Sequence, residues 1–173
     1  MASDGTAEEA PRAAAMPARA SWLARATAPV HCALAFAAGA GLQHALGLPV
    51  PQDGTLRDAL QVAGTVLANA GLALALWCFA LFARQRTTIL PAGAPARLVR
   101  GGPFRVTRNP MYLALLASYT GLALILDLPW ALATLAAPVA VLQRAVIPYE
   151  EAQLRARFGS GYAAYAAEVR RWL

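Results

Sequence analysis

The chain has 173 residues, 58% hydrophobic and only 14% charged, where a soluble domain carries about a quarter charged residues. That composition argues against an ordinary soluble domain, and the length holds one compact helical unit rather than two. The net charge of +6 comes from arginine alone, without lysine; the arginines flank apolar runs, so membrane orientation explains the charge and nucleic-acid binding is set aside.

Residues 1–26 are polar and Ala-rich, with Asp4, Glu8, Glu9, Arg12, Arg19 and Arg25. They read as a flexible cytoplasmic arm, because an acidic head and a late apolar stretch do not make a signal peptide. The first apolar run, residues 29–50, is long enough for the roughly 20 helical residues that cross a hydrocarbon core, and Pro49 and Pro51 end it. His31 and His44 stand 13 residues apart on this run, about 20 Å along a helix, too far to ligate one iron together. They read as interfacial or packing residues. The second run, residues 59–83, carries a small-residue face of Gly64, Ala68, Gly71 and Ala75 suited to close helix packing. The third and fourth runs, residues 110–127 and 129–147, are short and suggest a tight hairpin. Asn69, Ser118 and Thr120 are expected to make polar contacts between helices. Cys32 and Cys78 lie inside apolar runs and read as small hydrophobes; no Cys or His cluster has metal-ligand spacing, so neither a metal site nor a disulfide framework is expected.

Of fifteen arginines, only Arg57 falls on the side of the first and third connections; Asp53, Asp58 and Asp127 share that side. The positive-inside rule then predicts an all-α integral membrane protein with four transmembrane helices and both termini in the cytoplasm, in a cell (inner) membrane. The tail from Pro148 onward has helically spaced apolar residues, with Gly159 and Gly161 between them. It predicts a cytoplasmic pair of short amphipathic helices.

The connection between the second and third runs is long, rich in Gly, Pro and Arg, and ends in "RNPMY". Long loops in compact domains are often functional. Asn109 reads as a helix N-cap and Pro110 as the first helical residue. A helix start favours an anion, Arg105 and Arg108 add charge, and Tyr112 offers a ring face to a cation. S-adenosylmethionine combines a carboxylate with a permanent cation. Glu150 and Glu151 have two readings: a helix-start acidic pair with Glu151 spaced i, i+4 from Arg155, or ligands of a bound molecule.

The stretch "LVRGGPFRVTRNPMY" resembles the signature of membrane-embedded methyltransferases that include isoprenylcysteine carboxyl methyltransferases and phospholipid N-methyltransferases. The matching residues are Leu98, Val99, Gly102, Phe104, Arg108, Pro110 and Tyr112, then, after a hairpin, Glu150, Glu151, Leu154, Phe158, Gly159, Tyr162, Tyr165 and Arg171. The resemblance covers residues 84–173, which it marks as a methyltransferase core (a cofactor loop, a helical hairpin and C-terminal cytoplasmic helices) behind two further transmembrane helices in residues 27–83.

The resemblance implies S-adenosylmethionine as cofactor, held by Leu98, Val99, Phe104, Arg108, Asn109, Pro110, Met111, Tyr112 and Glu150. Arg108, Glu150, Glu151 and Arg171 become the candidate catalytic residues; Arg171 and Arg144 have two readings, holding an anionic group of the substrate or anchoring at the interface as snorkelling side chains. The acceptor is expected to be lipophilic and to enter from the bilayer: an isoprenylcysteine-like carboxylate, a phospholipid amine, or a small hydrophobic acid or thiol. Three positions depart from the family pattern: Asn109 replaces a histidine, Phe104 a common tyrosine, and Ala114 a glycine. Asn109 can hydrogen-bond but cannot serve as a base near neutral pH. The alternatives are a small four-span transporter and a non-catalytic membrane scaffold.

Overall fold

The computed structural model describes residues 28–51, 53–85 and 97–173. The expected N-terminal arm and the first part of the long loop, residues 86–96, lie outside them. All regular structure among the described residues is helical: α1 (Ala28–Leu46), α2 (Gly54–Gln85), a 3-10 turn (Gly102–Arg105), α3 (Pro110–Ile125), α4 (Pro129–Phe158) and α5 (Ser160–Glu168).

Local chemistry sets the ends. α1 stops where Gly47 takes φ +58° and its N–H reaches the Gln43 carbonyl at 3.0 Å, a left-handed cap followed by Pro49. α2 starts at Asp53, whose carboxylate accepts the Thr55 N–H at 2.9 Å. It runs 32 residues, about 48 Å, well beyond a hydrocarbon core. α3 and α4 are joined by a turn in which Asp127 has φ +52°, a conformation that Asp tolerates better than most residues. Its carboxylate takes Arg57 Nε at 2.8 Å and Gln61 Nε2 at 3.2 Å, tying the turn to the start of α2.

α2 packs along α3, and α1 packs against α3 and the first half of α4. The α2–α3 contact is backbone on backbone. A Cβ on Gly121 would lie 2.5 Å from the Ala68 nitrogen, one on Gly64 2.8 Å from the Gly121 carbonyl oxygen, and one on Gly71 2.7 Å from the Ala114 carbonyl oxygen. The small-residue face read from the sequence is this interface. Ser118 lies in it, but Asn69 and Thr120 do not bridge helices: each hydrogen-bonds a carbonyl four residues back on its own helix, Thr65 and Leu116, at 2.8 and 2.9 Å. Polar side chains of this kind compete for their own helix's carbonyls, which draws them away from a neighbouring helix.

Among the described residues two helices, not the four expected, are long and apolar enough by themselves to cross a membrane: residues 54–84 of α2 and all of α4. α3 has 16 residues, short of the roughly 20 needed. α1 has 19, but His31, Gln43 and His44 lower its hydropathy. Only 11% of the most apolar window of α2 is buried, with Val62, Val66, Leu72, Leu76, Trp77 and Phe79 exposed. A soluble core helix would bury such a stretch; a lipid-facing one leaves it outward.

The expected break at Pro148 is absent. α4 continues through it to Phe158, so the expected pair of short tail helices is present as Ile147–Phe158 and α5, the first of them continuous with the helix before it. Pro148 lacks an N–H and its ring crowds the carbonyl four residues back. The helix absorbs this in a π turn at Leu142–Val146, where Ile147 donates to the Leu142 carbonyl. Glu150 and Glu151 therefore sit inside a helix, not at an exposed helix start. Gly159, at φ +50°, turns the chain into α5.

Candidate active site

Four segments meet at one end of the helices: residues 97–109, the first turn of α3, the last third of α4, and α5 with the strand-like tail after it. The tail runs back along the loop. Thr107 and Arg170 form an isolated bridge, Arg108 N–H donates to the Arg170 carbonyl at 2.9 Å, and Thr107 Oγ1 donates to the Arg171 carbonyl at 3.1 Å. Trp172 Nε1 donates to Gln143 Oε1 on the π turn at 2.7 Å.

Asn109 occupies the N-cap position, its carbonyl accepting the Leu113 N–H, but its side chain makes no cap bond. Asn109 Nδ2 instead donates to the Arg171 carbonyl at 2.9 Å. The Asn109 N–H in turn meets Thr107 Oγ1 at 3.2 Å. The sequence-based expectation of a side-chain cap is thus corrected: the side-chain amide is engaged by the returning tail and not by the first N–H groups of the helix.

Glu151 is buried, 4% exposed. Its carboxylate receives Arg171 in a forked contact, Nε to Oε1 at 3.1 Å and a terminal nitrogen to Oε2 at 2.8 Å. Arg108 approaches Oε1 at 3.3 Å, and Arg155, in the expected i, i+4 pair, approaches Oε2 at 3.5 Å. The hydrogen bond to Glu151 raises the Arg171 pKa above its ordinary value. Three guanidinium groups on one carboxylate leave the cluster with an excess of positive charge. Arg108 Nε is buried without a hydrogen-bond partner among the described residues. An unpaired buried donor is costly, and a carboxylate or phosphate oxygen satisfies it best.

Glu150 goes elsewhere. Adjacent residues on a helix point about 100° apart, and Glu150 Oε1 accepts the Tyr112 hydroxyl at 2.5 Å. No described arginine pairs with it. Tyr112 packs on the apolar cluster of Ala28, Leu142, Val146 and Ile147. Val99 and Phe104 form a third group with Cys78 of α2, against which Leu81, Phe82 and Met111 pack; Phe82 and Phe104 meet edge to face with centroids 5.5 Å apart. Leu98 is half-buried beside them and Pro110 is buried.

α5 closes the outer side. Tyr165 donates to the Phe104 carbonyl at 2.7 Å, and burial pushes its phenol up to about 12. Burial also raises the Tyr162 phenol, with the Glu151 charge adding to it. Arg100 donates to the Gly161 carbonyl and lies 5.8 Å over the Tyr165 ring. Arg144 is exposed on the π turn, apart from the ion cluster that takes Arg171. Sequence reasoning passed over Thr107, Gln143 and Trp172; their partners lie 29 to 64 residues away in the chain, and no local pattern marks such pairs.

The class of protein that this arrangement defines is a helical, apolar, lipid-suited body with a buried cationic cluster at one end, set by a loop and a tail that fold over each other. Residues 60–161 match the family model of the phospholipid methyltransferases. That is more than half of the chain, and the chain belongs to this family. Membership implies methyl transfer in a membrane. The matched segment holds Arg108, Tyr112, Glu150 and Glu151, and leaves α1, the tail and Arg171 outside. No curated protein matches the chain, and no solved structure does.

Proposed function

We propose that the protein transfers a methyl group from S-adenosylmethionine to a lipophilic acceptor that reaches the site laterally from the bilayer. The observation that carries this reading is the Glu151 cluster: three arginines on one buried carboxylate, with Arg108 Nε left unpaired, beneath helices built to face lipid. The residues fit the cofactor. Its carboxylate suits the surplus charge and the open Nε of Arg108. Its amino or hydroxyl groups suit Glu150, the acid that no arginine claims. Val99, Phe104 and Met111 offer an apolar wall, with Leu98, Asn109 and Pro110 holding the loop and helix start behind it.

S-adenosylmethionine supplies a methyl on a positively charged sulfur, and in-line displacement to a nucleophile needs chiefly alignment, which proximity and orientation provide. Arg108 and Glu150 touch the cofactor in this reading. Glu151 and Arg171 act through Arg108, fixing its guanidinium and holding the tail shut over the site. An ammonium acceptor must shed a proton before it attacks; Glu151 is committed to its arginines, which favours Glu150 for that task.

The reading keeps the four-span topology expected from the charge asymmetry, with α1 and the 16-residue α3 crossing an inner membrane as short spans beside α2 and α4, and both termini in the cytoplasm. Fourteen of fifteen arginines then lie on the site's side, and the soluble cofactor enters from there. Thermal-shift titration of the detergent-purified chain with S-adenosylmethionine and S-adenosylhomocysteine tests it. At a hundredfold the dissociation constant, binding adds about 2.7 kcal/mol. A saturable shift in the wild type, lost in Arg108→Ala and Glu150→Ala, is the expected result. No shift with either ligand sinks the methyltransferase site.

A further inference from the structure

His31 lies near the start of α1, outside the segment that matches the family. Both of its ring nitrogens are buried, and neither has a hydrogen-bond partner among the described residues. Its surroundings show where this stretch of helix faces. Ala28, three residues earlier, packs with Leu142, Val146 and Ile147 against Tyr112. Cys32, the next residue, packs with Tyr119 and Ala131. His31 is therefore set on the inner side of α1, within about one helical turn of the level at which Tyr112 meets Glu150.

The polar groups that meet the neighbouring positions of α1, Cys32 and Ala35, are satisfied without it. The Tyr119 hydroxyl has the Ala131 carbonyl at 3.0 Å and Thr134 Oγ1 at 3.0 Å, and Thr134 has the Ala35 carbonyl at 2.9 Å. A packing histidine normally finds such a partner, and with both ring nitrogens buried bulk water does not replace one. A neutral imidazole offers one donor and one acceptor, so the group that completes it must bring both an oxygen and an N–H or O–H.

We propose that His31 is an acceptor-binding residue, contributed by α1, that receives the polar head of the lipophilic acceptor. The head carries an oxygen for one ring nitrogen and an N–H or O–H for the other, as an amine- or hydroxyl-bearing phospholipid does and a bare carboxylate or thiolate does not. The inference rests on the methyltransferase reading and adds to it: the matched core holds the cofactor, and the first helix helps select what is methylated.

The experiment uses the full chain in detergent–lipid micelles, labelled S-adenosylmethionine, and two acceptors: vesicles of phosphatidylethanolamine and a farnesylated cysteine carboxylate. His31→Leu removes both nitrogens, and His31→Gln keeps one donor and one acceptor. The expected result is an unchanged S-adenosylhomocysteine shift in both variants. Transfer to phosphatidylethanolamine falls about tenfold or more in His31→Leu, mainly through a higher KM, and recovers in part in His31→Gln. His31→Leu also keeps or raises the melting temperature, since an unpaired buried polar group is replaced by an apolar one. Transfer by His31→Leu within twofold of wild type overturns the proposal. So does loss of the homocysteine shift together with transfer, which assigns His31 to the cofactor site or the fold. Methylation of the carboxylate alone by the wild type overturns the head-group class and leaves the methyltransferase reading standing, whereas absence of any wild-type shift removes that reading first.

Discussion

The α2–α3 interface and the loop–tail clasp hold the same chain together by opposite means. Between α2 and α3, small residues bring backbones within reach of each other, with Gly64, Gly71 and Gly121 leaving no room for a Cβ. In hydrocarbon there is no hydrophobic force to press helices together, so close dispersion contact does it. At the clasp the contacts are ion pairs and hydrogen bonds centred on Glu151 and on the carbonyls of Arg170 and Arg171. One region is held by close packing of backbone and small side chains. The other keeps a surplus of positive charge and an unpaired nitrogen, which is the condition for binding something.

The largest effect belongs to the clasp. Glu151→Gln strands the Arg108 and Arg171 guanidiniums, and breaking a buried pair from one side costs about 3–5 kcal/mol. The low end is expected, since the Arg171 side chain is 31% exposed. A melting curve reads the loss, together with loss of the S-adenosylhomocysteine shift; a variant that melts like the wild type removes Glu151 from the centre of the clasp. Next comes Gly121→Ala, whose Cβ meets Ala68 backbone at 2.5 Å. Overpacking costs about 1–3 kcal/mol, and a variant that still folds should keep its ligand shift. Ligand binding lost at unchanged stability would mean that the two regions are not separable in this way.

The smallest effect is alkaline. Tyr165 is pushed from 10 to about 12, so the neutral phenol belongs to the folded state. Its contribution is complete below pH 10 and is lost as pH climbs toward 12. Melting temperature should fall more steeply across that window in the wild type than in Tyr165→Phe. Equal slopes would remove Tyr165 as the group that titrates.

Much of the site could be read in the chain because its signals are local. "RNPMY" announces a helix start with an arginine before it, and the paired acids follow after a hairpin. What could not be read is how the two acids divide. Glu150 and Glu151 are chemically alike, and only the angle between neighbouring helical positions and the return of the tail gives one to Tyr112 and the other to three arginines. The same holds for Asn109, which looks like a cap from its neighbours and becomes a tether for the tail. Pro148 looked like a boundary, yet α4 passes it by widening one turn.

The sequence by itself determined the apolar runs, the charge asymmetry around them, the glycine face of α2 and the motif that the family shares, because each follows from residue type at short spacing. The tertiary structure alone decided which carboxylate meets arginines and which a tyrosine, and which arginine and imidazole nitrogens are buried without a partner among the described residues. Those facts depend on groups distant in the chain arriving, or failing to arrive, within hydrogen-bond distance.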